Sequence, residues 1–128
     1  CVSLTTIPSR FKQVRLTIDS LAKQTQKPEK IFLNIPYNYQ RFPGQVISTE
    51  HLDELSNFKN LEIVRCDDFG PGTKLLGSIN NLEKYSHVVL VDDVMTSGAT
   101  LAACTEACLK SRAREVCVVT LARVAKDD

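Results

Sequence analysis

The segment from Val88 to Thr100, VVLVDDVMTSGAT, combines residue types that bind phosphorylated sugars. An apolar strand delivers two adjacent carboxylates, Asp92 and Asp93, and a small hydroxyl-bearing turn then opens a helix. The turn consists of Thr96, Ser97, Gly98, Ala99 and Thr100. The first N–H groups of a helix lack internal partners and, with the helix dipole, favour a phosphate. Carboxylates one turn away suit vicinal hydroxyls or a metal ion, so the pattern predicts a site for a ribose 5-phosphate.

This segment resembles the 5-phosphoribosyl-1-pyrophosphate (PRPP) motif of the type I phosphoribosyltransferases. The likeness continues through TLAACTEACLKSRAREVCVVTLAR, so residues 87–125 are similar to the C-terminal end of the ComF-type phosphoribosyltransferases. The resemblance implies that Asp92 and Asp93 hold the ribose hydroxyls, and that Thr96 to Thr100 hold the 5-phosphate. It also implies Mg²⁺, with Mn²⁺ as the alternative, beside the pyrophosphate, and makes the two aspartates candidate metal ligands.

Residues 1–86 carry motifs of a different kind. We find there neither the pyrophosphate-binding loop nor the lid that a phosphoribosyltransferase needs. Instead, VSLTTIPSRF and RCDDFGPGTKLLG resemble the N-terminal part of a GT-A-type glycosyltransferase family. That resemblance implies a nucleotide pocket after the first strand and a group of residues beside the donor diphosphate. The two groups are, in that order, Thr5, Thr6 and Arg10, and Asp67, Asp68 and Lys74.

The glycosyltransferase pattern is interrupted at residue 94. In that family the next strand ends in three acids, of which the first and third bind the metal. The third position here is Val94, and the acceptor half of the family is absent. The sequence therefore predicts a chimera-like chain, with a glycosyltransferase-like part over residues 1–86 and a phosphoribosyltransferase-like part over residues 87–128. Whether such a join is natural, engineered or an assembly artefact is open.

Strand and helix patterns alternate along the whole chain. Short runs rich in β-branched residues predict five strands, at Val2–Ile7, Lys30–Ile35, Leu61–Cys66, His87–Val91 and Glu115–Ala122. Apolar residues at helical spacing predict four helices between them, at residues 8–25, 48–58, 73–82 and 99–111. This alternation is typical of an α/β fold, a three-layer α/β/α doubly wound (Rossmann-like), mostly parallel sheet of about five strands in a single domain.

The expected sheet gathers the polar loops at one edge. In such sheets a ligand lies beyond the carboxyl ends of the strands, where the strand order reverses. Three polar loops follow strands, over Thr5–Arg10, Asp67–Lys74 and Asp92–Thr100. We therefore expect them to line one crevice. The aromatic residues of the loop after the second strand, Tyr37, Tyr39 and Phe42, are expected to cover the sheet edge.

Composition excludes several classes of partner. The chain has 128 residues, with 16 basic and 15 acidic side chains and a net charge of +1. This balance gives no basic face for nucleic acid or an anionic membrane. No apolar run approaches the roughly 18–20 residues of a membrane span. The five cysteines, an odd number without scaffold spacing, indicate a reducing compartment and predict a cytoplasmic protein.

Three functions remain open on the sequence alone. The first is a phosphoribosyltransferase-like domain that binds PRPP or a ribose 5-phosphate, with or without retained catalysis. The second is a glycosyltransferase-like domain with a nucleotide-sugar donor. The third is a non-catalytic chimeric or engineered α/β scaffold, because catalysis needs a complete set of groups held together. The expected partner is accordingly a phosphorylated sugar or a nucleotide sugar, and the oligomeric state is open.

Overall fold

Five parallel strands form the centre of the protein in a computed structural model, which describes residues 1–95, 106 and 115–123. The strand order is β3-β2-β1-β4-β5, and every adjacent pair is parallel. The strands are β1 (Val2–Thr5), β2 (Ile31–Pro36), β3 (Leu61–Cys66), β4 (His87–Met95) and β5 (Glu115–Arg123). The sequence-based prediction of an α/β, doubly wound parallel sheet is confirmed.

Helices cover both faces of this sheet. The helices are α1 (Phe11–Ala22), α2 (Thr49–Asp53), α3 (Thr73–Leu76) and α4 (Ile79–Leu82), and 3-10 turns at Pro8–Arg10 and Gly70–Gly72 precede α1 and α3. One core cluster joins α1 and α2 to the sheet through Phe11, Val14, Ile18, Leu52 and Leu55. The other joins α3 and α4 to the opposite face through Leu75 and Leu82. Burial of these apolar side chains holds the three layers together.

The strand order reverses beside β1. The chain passes from β1 to β2 and then β3 on one side, and β4 returns to pair with the other side of β1. Val2 pairs with Ile31 of β2 and with Val89 of β4. The carboxyl ends of β1 and β4 therefore flank the point at which a doubly wound sheet binds its ligands.

Several boundaries differ from the sequence-based prediction. The helix expected over residues 73–82 is divided into α3 and α4, because Gly77 and Ser78 pack against β2. The strand expected to end at Val91 continues to Met95, since its backbone keeps its pairing with β5 as far as Arg123. The helix expected over residues 99–111 lies outside the described residues, apart from Glu106, which is helical. Within the described part of the chain, no helix has the length and apolarity that a membrane crossing requires.

Candidate active site at the β1–β4 junction

A cleft of about 330 Å³ lies at the point where the strand order reverses. Its wall is formed by the end of β1 and the residues after it, by one side of α1 and by β4. The lining residues are Leu4, Thr5, Thr6, Arg10, Gln13, Val14, Thr17 and Val91. The cleft is thus where the alternating strands and helices lead one to expect a ligand. It brings together Thr5, Thr6 and Arg10, the candidate residues at and after the end of the first strand.

Hydrogen bonds hold the two threonines at the edge of the cleft. The hydroxyl of Thr5 donates to the backbone oxygen of Asn34 in β2, at 2.7 Å. The backbone oxygen of Thr6 accepts from the hydroxyl of Tyr39, at 2.9 Å. Tyr39 is buried, and its desolvation raises the pKa of its phenol to about 12, an effect that Arg65 opposes and Asp68 and Cys66 reinforce. Since Tyr39 stays protonated, it remains a donor to this loop at physiological pH.

Arg10 brings a positive charge to the cleft. Pro8 begins the 3-10 turn that carries it, and the backbone N–H of Arg10 donates to the oxygen of Ile7 at 2.9 Å. The side chain is exposed and lines the cleft. A guanidinium offers five donors in a planar fork, a geometry that suits phosphate oxygens. Arg10 therefore lies in the cleft that follows the first strand.

Lys74 has a very different environment from that of a solvated helix lysine. Its residue is only 3% exposed. Its backbone oxygen accepts hydrogen bonds from the hydroxyl of Ser3 and from the side-chain amide of Asn34. A buried ammonium is costly unless it is paired, so Lys74 is not an ordinary solvated helix lysine.

The two aspartates after β3 divide their roles. Asp67 is exposed, whereas the carboxylate of Asp68 accepts the backbone N–H of Gln40 at 2.8 Å and that of Gly70 at 2.9 Å. Asp68 therefore connects two loops through its two oxygens. Burial, reinforced by the nearby Asp67 carboxylate, raises the pKa of the Cys66 thiol that precedes them.

Asp92 and Asp93 occupy consecutive positions of β4. Asp92 is in register with Thr120 of β5, and it directly follows Val91, which lines the cleft. The backbone thus carries the acidic pair from the cleft wall toward the carboxyl edge of the sheet. Thr96 to Thr100, predicted to hold the 5-phosphate, lie outside the described residues. Among the residues that the structure does describe, no group of three or more His, Cys, Asp or Glu side chains is placed to hold a metal.

The comparisons with known proteins bear on the identity of this cleft. The family model for the phosphoribosyl transferase domain matches residues 21–128. The chain belongs to the phosphoribosyl transferase domain family. No curated protein and no solved structure matches the chain.

The extent of that match alters one sequence-based prediction. Residues 21–86, which the sequence analysis assigned to a glycosyltransferase-like part, fall within the phosphoribosyl transferase match. The comparisons therefore do not support the glycosyltransferase resemblance, the nucleotide-sugar partner or a chimera joined at residue 87. The two families resemble each other in sequence pattern because a βα repeat with polar loops after its strands is common to many nucleotide- and sugar-phosphate-binding domains.

Two cleft residues escaped the sequence analysis. Gln13 and Thr17 belong to α1 and line the cleft beside its apolar stripe. Residues four apart lie on the same side of a helix. A polar pair beside the apolar face of α1 could therefore have indicated that this side of the helix borders a cleft. Asn34 also escaped it, although a polar residue within the apolar run IFLNIP is a sign that something pairs with it inside the sheet.

Proposed function

We propose that the protein binds a ribose 5-phosphate compound of the PRPP type in the cleft between β1 and β4. The observation that carries the proposal is the position of the cleft. It opens beside the strand that delivers Asp92 and Asp93, in a chain of the phosphoribosyl transferase domain family. In a doubly wound sheet the strand order reverses at this point, so a ligand can contact the loops that follow two neighbouring strands.

Each group of candidate residues has a proposed task. Asp92 and Asp93 accept hydrogen bonds from the ribose hydroxyls, and Thr96 to Thr100 donate to the 5-phosphate. Arg10 and the loop that begins at Thr5 face the pyrophosphate end of the ligand, where a guanidinium fork matches phosphate oxygens.

A divalent cation belongs to this proposal. Carboxylate oxygens are the ligands that Mg²⁺ prefers, and it binds through one or two of them together with substrate phosphates. The acidic pair at Asp92 and Asp93 has the donor chemistry for such an ion, with Mn²⁺ as the alternative. When bound, the cation neutralises charge on the pyrophosphate. Lys74 is buried in α3, which packs against β1, β2 and β4. We propose that its positive charge makes the electrostatic potential near β4 more favourable for a phosphate.

Calorimetric titration with PRPP in the presence of Mg²⁺ tests the proposal. We expect saturable binding to the unmodified chain, and at least a tenfold loss of affinity in the double variant Asp92→Asn, Asp93→Asn. The matched control is Glu50→Gln with Asp53→Asn, which removes the same charge from exposed positions of α2. Equal affinities for the unmodified chain and the acidic-pair variant would contradict the proposal.

A parallel assay asks whether turnover accompanies binding. Release of pyrophosphate from PRPP, measured with and without candidate acceptors, distinguishes a phosphoribosyltransferase from a binding domain that has lost catalysis. A titration with a uridine diphosphate sugar and Mn²⁺ serves as the comparison. We expect it to show weaker binding than PRPP, because the family match favours a phosphorylated pentose.

A further inference from the structure

A short segment after β2, residues 37–40, is bonded to the loops that follow the strands on both sides of it. The hydroxyl of Tyr39 donates to the backbone oxygen of Thr6, at 2.9 Å, in the loop after β1. The backbone N–H of Gln40 donates to the Asp68 carboxylate, at 2.8 Å, in the loop after β3. The N–H of Tyr37 donates to the oxygen of Cys66 at the end of β3, at 2.9 Å.

Asp68 extends the connection toward α3. Its second carboxylate oxygen accepts the N–H of Gly70 at 2.9 Å, and the N–H of Phe69 donates to the hydroxyl of Thr73 at 3.0 Å. Thr73 is the first residue of α3 and directly precedes the buried Lys74. A continuous series of hydrogen bonds and short backbone links therefore runs from the cleft edge to the start of α3.

Tyr39, at the centre of this series, is rigid enough to fix the position of the Thr6 backbone oxygen. Tyr39 is 6% exposed and packs within the core cluster that also contains Phe11 and Ile35. A buried ring has little rotational freedom, so its hydroxyl fixes the Thr6 oxygen rather than following it. Thr6 in turn lines the cleft.

We propose that Tyr39 and Asp68 are positioning residues that couple the β1 side of the cleft to the loop before α3. Asp68 then acts through backbone N–H groups and does not itself contact a diphosphate, which differs from the role that the sequence suggested. The coupling rests on the proposed function only for its effect on ligand affinity. Its effect on the loop after β1 is a property of the unliganded protein.

The first test needs no ligand. Amide resonances of the isotopically labelled chain are compared between the unmodified protein and Asp68→Asn, which keeps the shape of the side chain and removes its charge. We expect the amide signals of Thr5 and Thr6 to shift, although Asp68 follows β3 and β2 lies between β3 and β1 in the sheet. Asp67→Asn, which changes the neighbouring exposed carboxylate, is the matched control and is expected to leave them in place. Unchanged Thr5 and Thr6 signals in Asp68→Asn would overturn the proposal.

The second test measures affinity for PRPP with Mg²⁺. Tyr39→Phe, which removes one hydroxyl and keeps the ring, is expected to weaken binding about fivefold, the effect of one lost hydrogen bond. Tyr85→Phe is the control, because Tyr85 packs edge-on against Phe32 in the other core cluster. The combined variant Tyr39→Phe, Asp68→Asn is expected to lose less than the product of the single losses, as coupled residues do.

The two tests separate the two proposals. If PRPP fails to bind the unmodified chain, the proposed function is wrong, and the coupling still stands or falls on the amide signals. If the unmodified chain binds and Tyr39→Phe binds equally well, the coupling is overturned while the proposed function holds. Strictly multiplicative losses in the double variant would also overturn it, since independent residues give that result.

Discussion

Two polar regions lie on neighbouring parts of the sheet and differ in how completely they are hydrogen-bonded. The first is the buried polar cluster between the sheet and the α3–α4 junction, formed by Ser3, Asn34, Ser78 and the backbone of Lys74. The second is the carboxyl edge, where the cleft opens and where Arg65 stacks at 5.1 Å over the exposed ring of Tyr37.

The buried polar cluster satisfies itself. The Asn34 amide nitrogen contacts the Ser3 hydroxyl at 3.0 Å, the Leu4 oxygen at 3.1 Å and the Lys74 oxygen at 3.2 Å. Its side-chain oxygen accepts from the hydroxyl of Ser78. At the carboxyl edge, by contrast, Nε of Arg65 is buried and without an acceptor, the one such side-chain atom among the described residues. Polar groups that pair internally support the fold, whereas a buried donor without an acceptor, such as this Nε, costs stability. The polar side chain that a ligand can reach at the cleft is the exposed Arg10.

Removing Asn34 is expected to have the largest effect on stability. Asn34→Ala leaves the groups of the buried polar cluster without partners and opens a void, so the free energy of unfolding should fall by about 3 kcal/mol. Asn80→Ala, on the exposed side of α4, should change it by less than about 0.5 kcal/mol. Urea unfolding followed by circular dichroism measures both. Equal stabilities would mean that the cluster contributes little and that the contrast with the carboxyl edge is false.

A methyl group at Gly77 tests how tightly that cluster is packed. A Cβ there would lie 2.8 Å from Oδ1 of Asn34 and 3.0 Å from its Cβ and Cγ. Gly77→Ala should therefore lower the free energy of unfolding by about 2 kcal/mol.

Gly72→Ala is the matched control for this variant. The nearest atom to its Cβ would be a flexible Leu76 methyl at 3.4 Å. Because alanine also restricts the unfolded chain, the control should be neutral or more stable by about 0.5 kcal/mol. If Gly72→Ala lowered the free energy of unfolding and Gly77→Ala left it unchanged, the buried polar cluster would not be the tightly packed region.

The stability at high pH tests Tyr39, which holds the cleft side of the comparison. Burial of Tyr39 raises its pKa to about 12 from a usual 10, so folding favours the protonated phenol. Its contribution to stability is complete below pH 10 and is lost as the pH rises through 12. We expect a decrease of about 2 kcal/mol in the free energy of unfolding over that interval. Denaturant titrations at several pH values measure it, and Tyr39→Phe should remove the part of the decrease that belongs to this phenol.

The fold was largely predictable from local patterns. Apolar runs such as IFLNIP and HVVLV placed the strands, and Phe11, Val14 and Ile18 face the sheet from α1 as their spacing predicted. Ser48 caps α2, its hydroxyl accepting the N–H of His51 at 3.3 Å, which is a local interaction three residues apart. The division of α3 from α4 was not predictable, because it depends on Gly77 and Ser78 meeting Asn34, more than forty residues earlier.

The candidate site was predictable in part. Thr5 and Arg10, which the sequence placed in a pocket after the first strand, line the cleft. Asp68, which the sequence placed beside a donor diphosphate, accepts backbone N–H groups in the structure. The sequence shows which side chains could bind phosphate. It does not show which of their atoms are already occupied by hydrogen bonds from distant loops.

Local sequence patterns were enough to predict the βα alternation, the polar loops after the strands and the acidic pair Asp92 and Asp93, because these depend on neighbours a few residues apart. Only the tertiary structure showed the strand order, which places the cleft between β1 and β4. It also showed that Lys74 and Asn34 are buried. Strand order depends on pairings between residues far apart in the chain, such as Val2 with Val89, which no local pattern specifies.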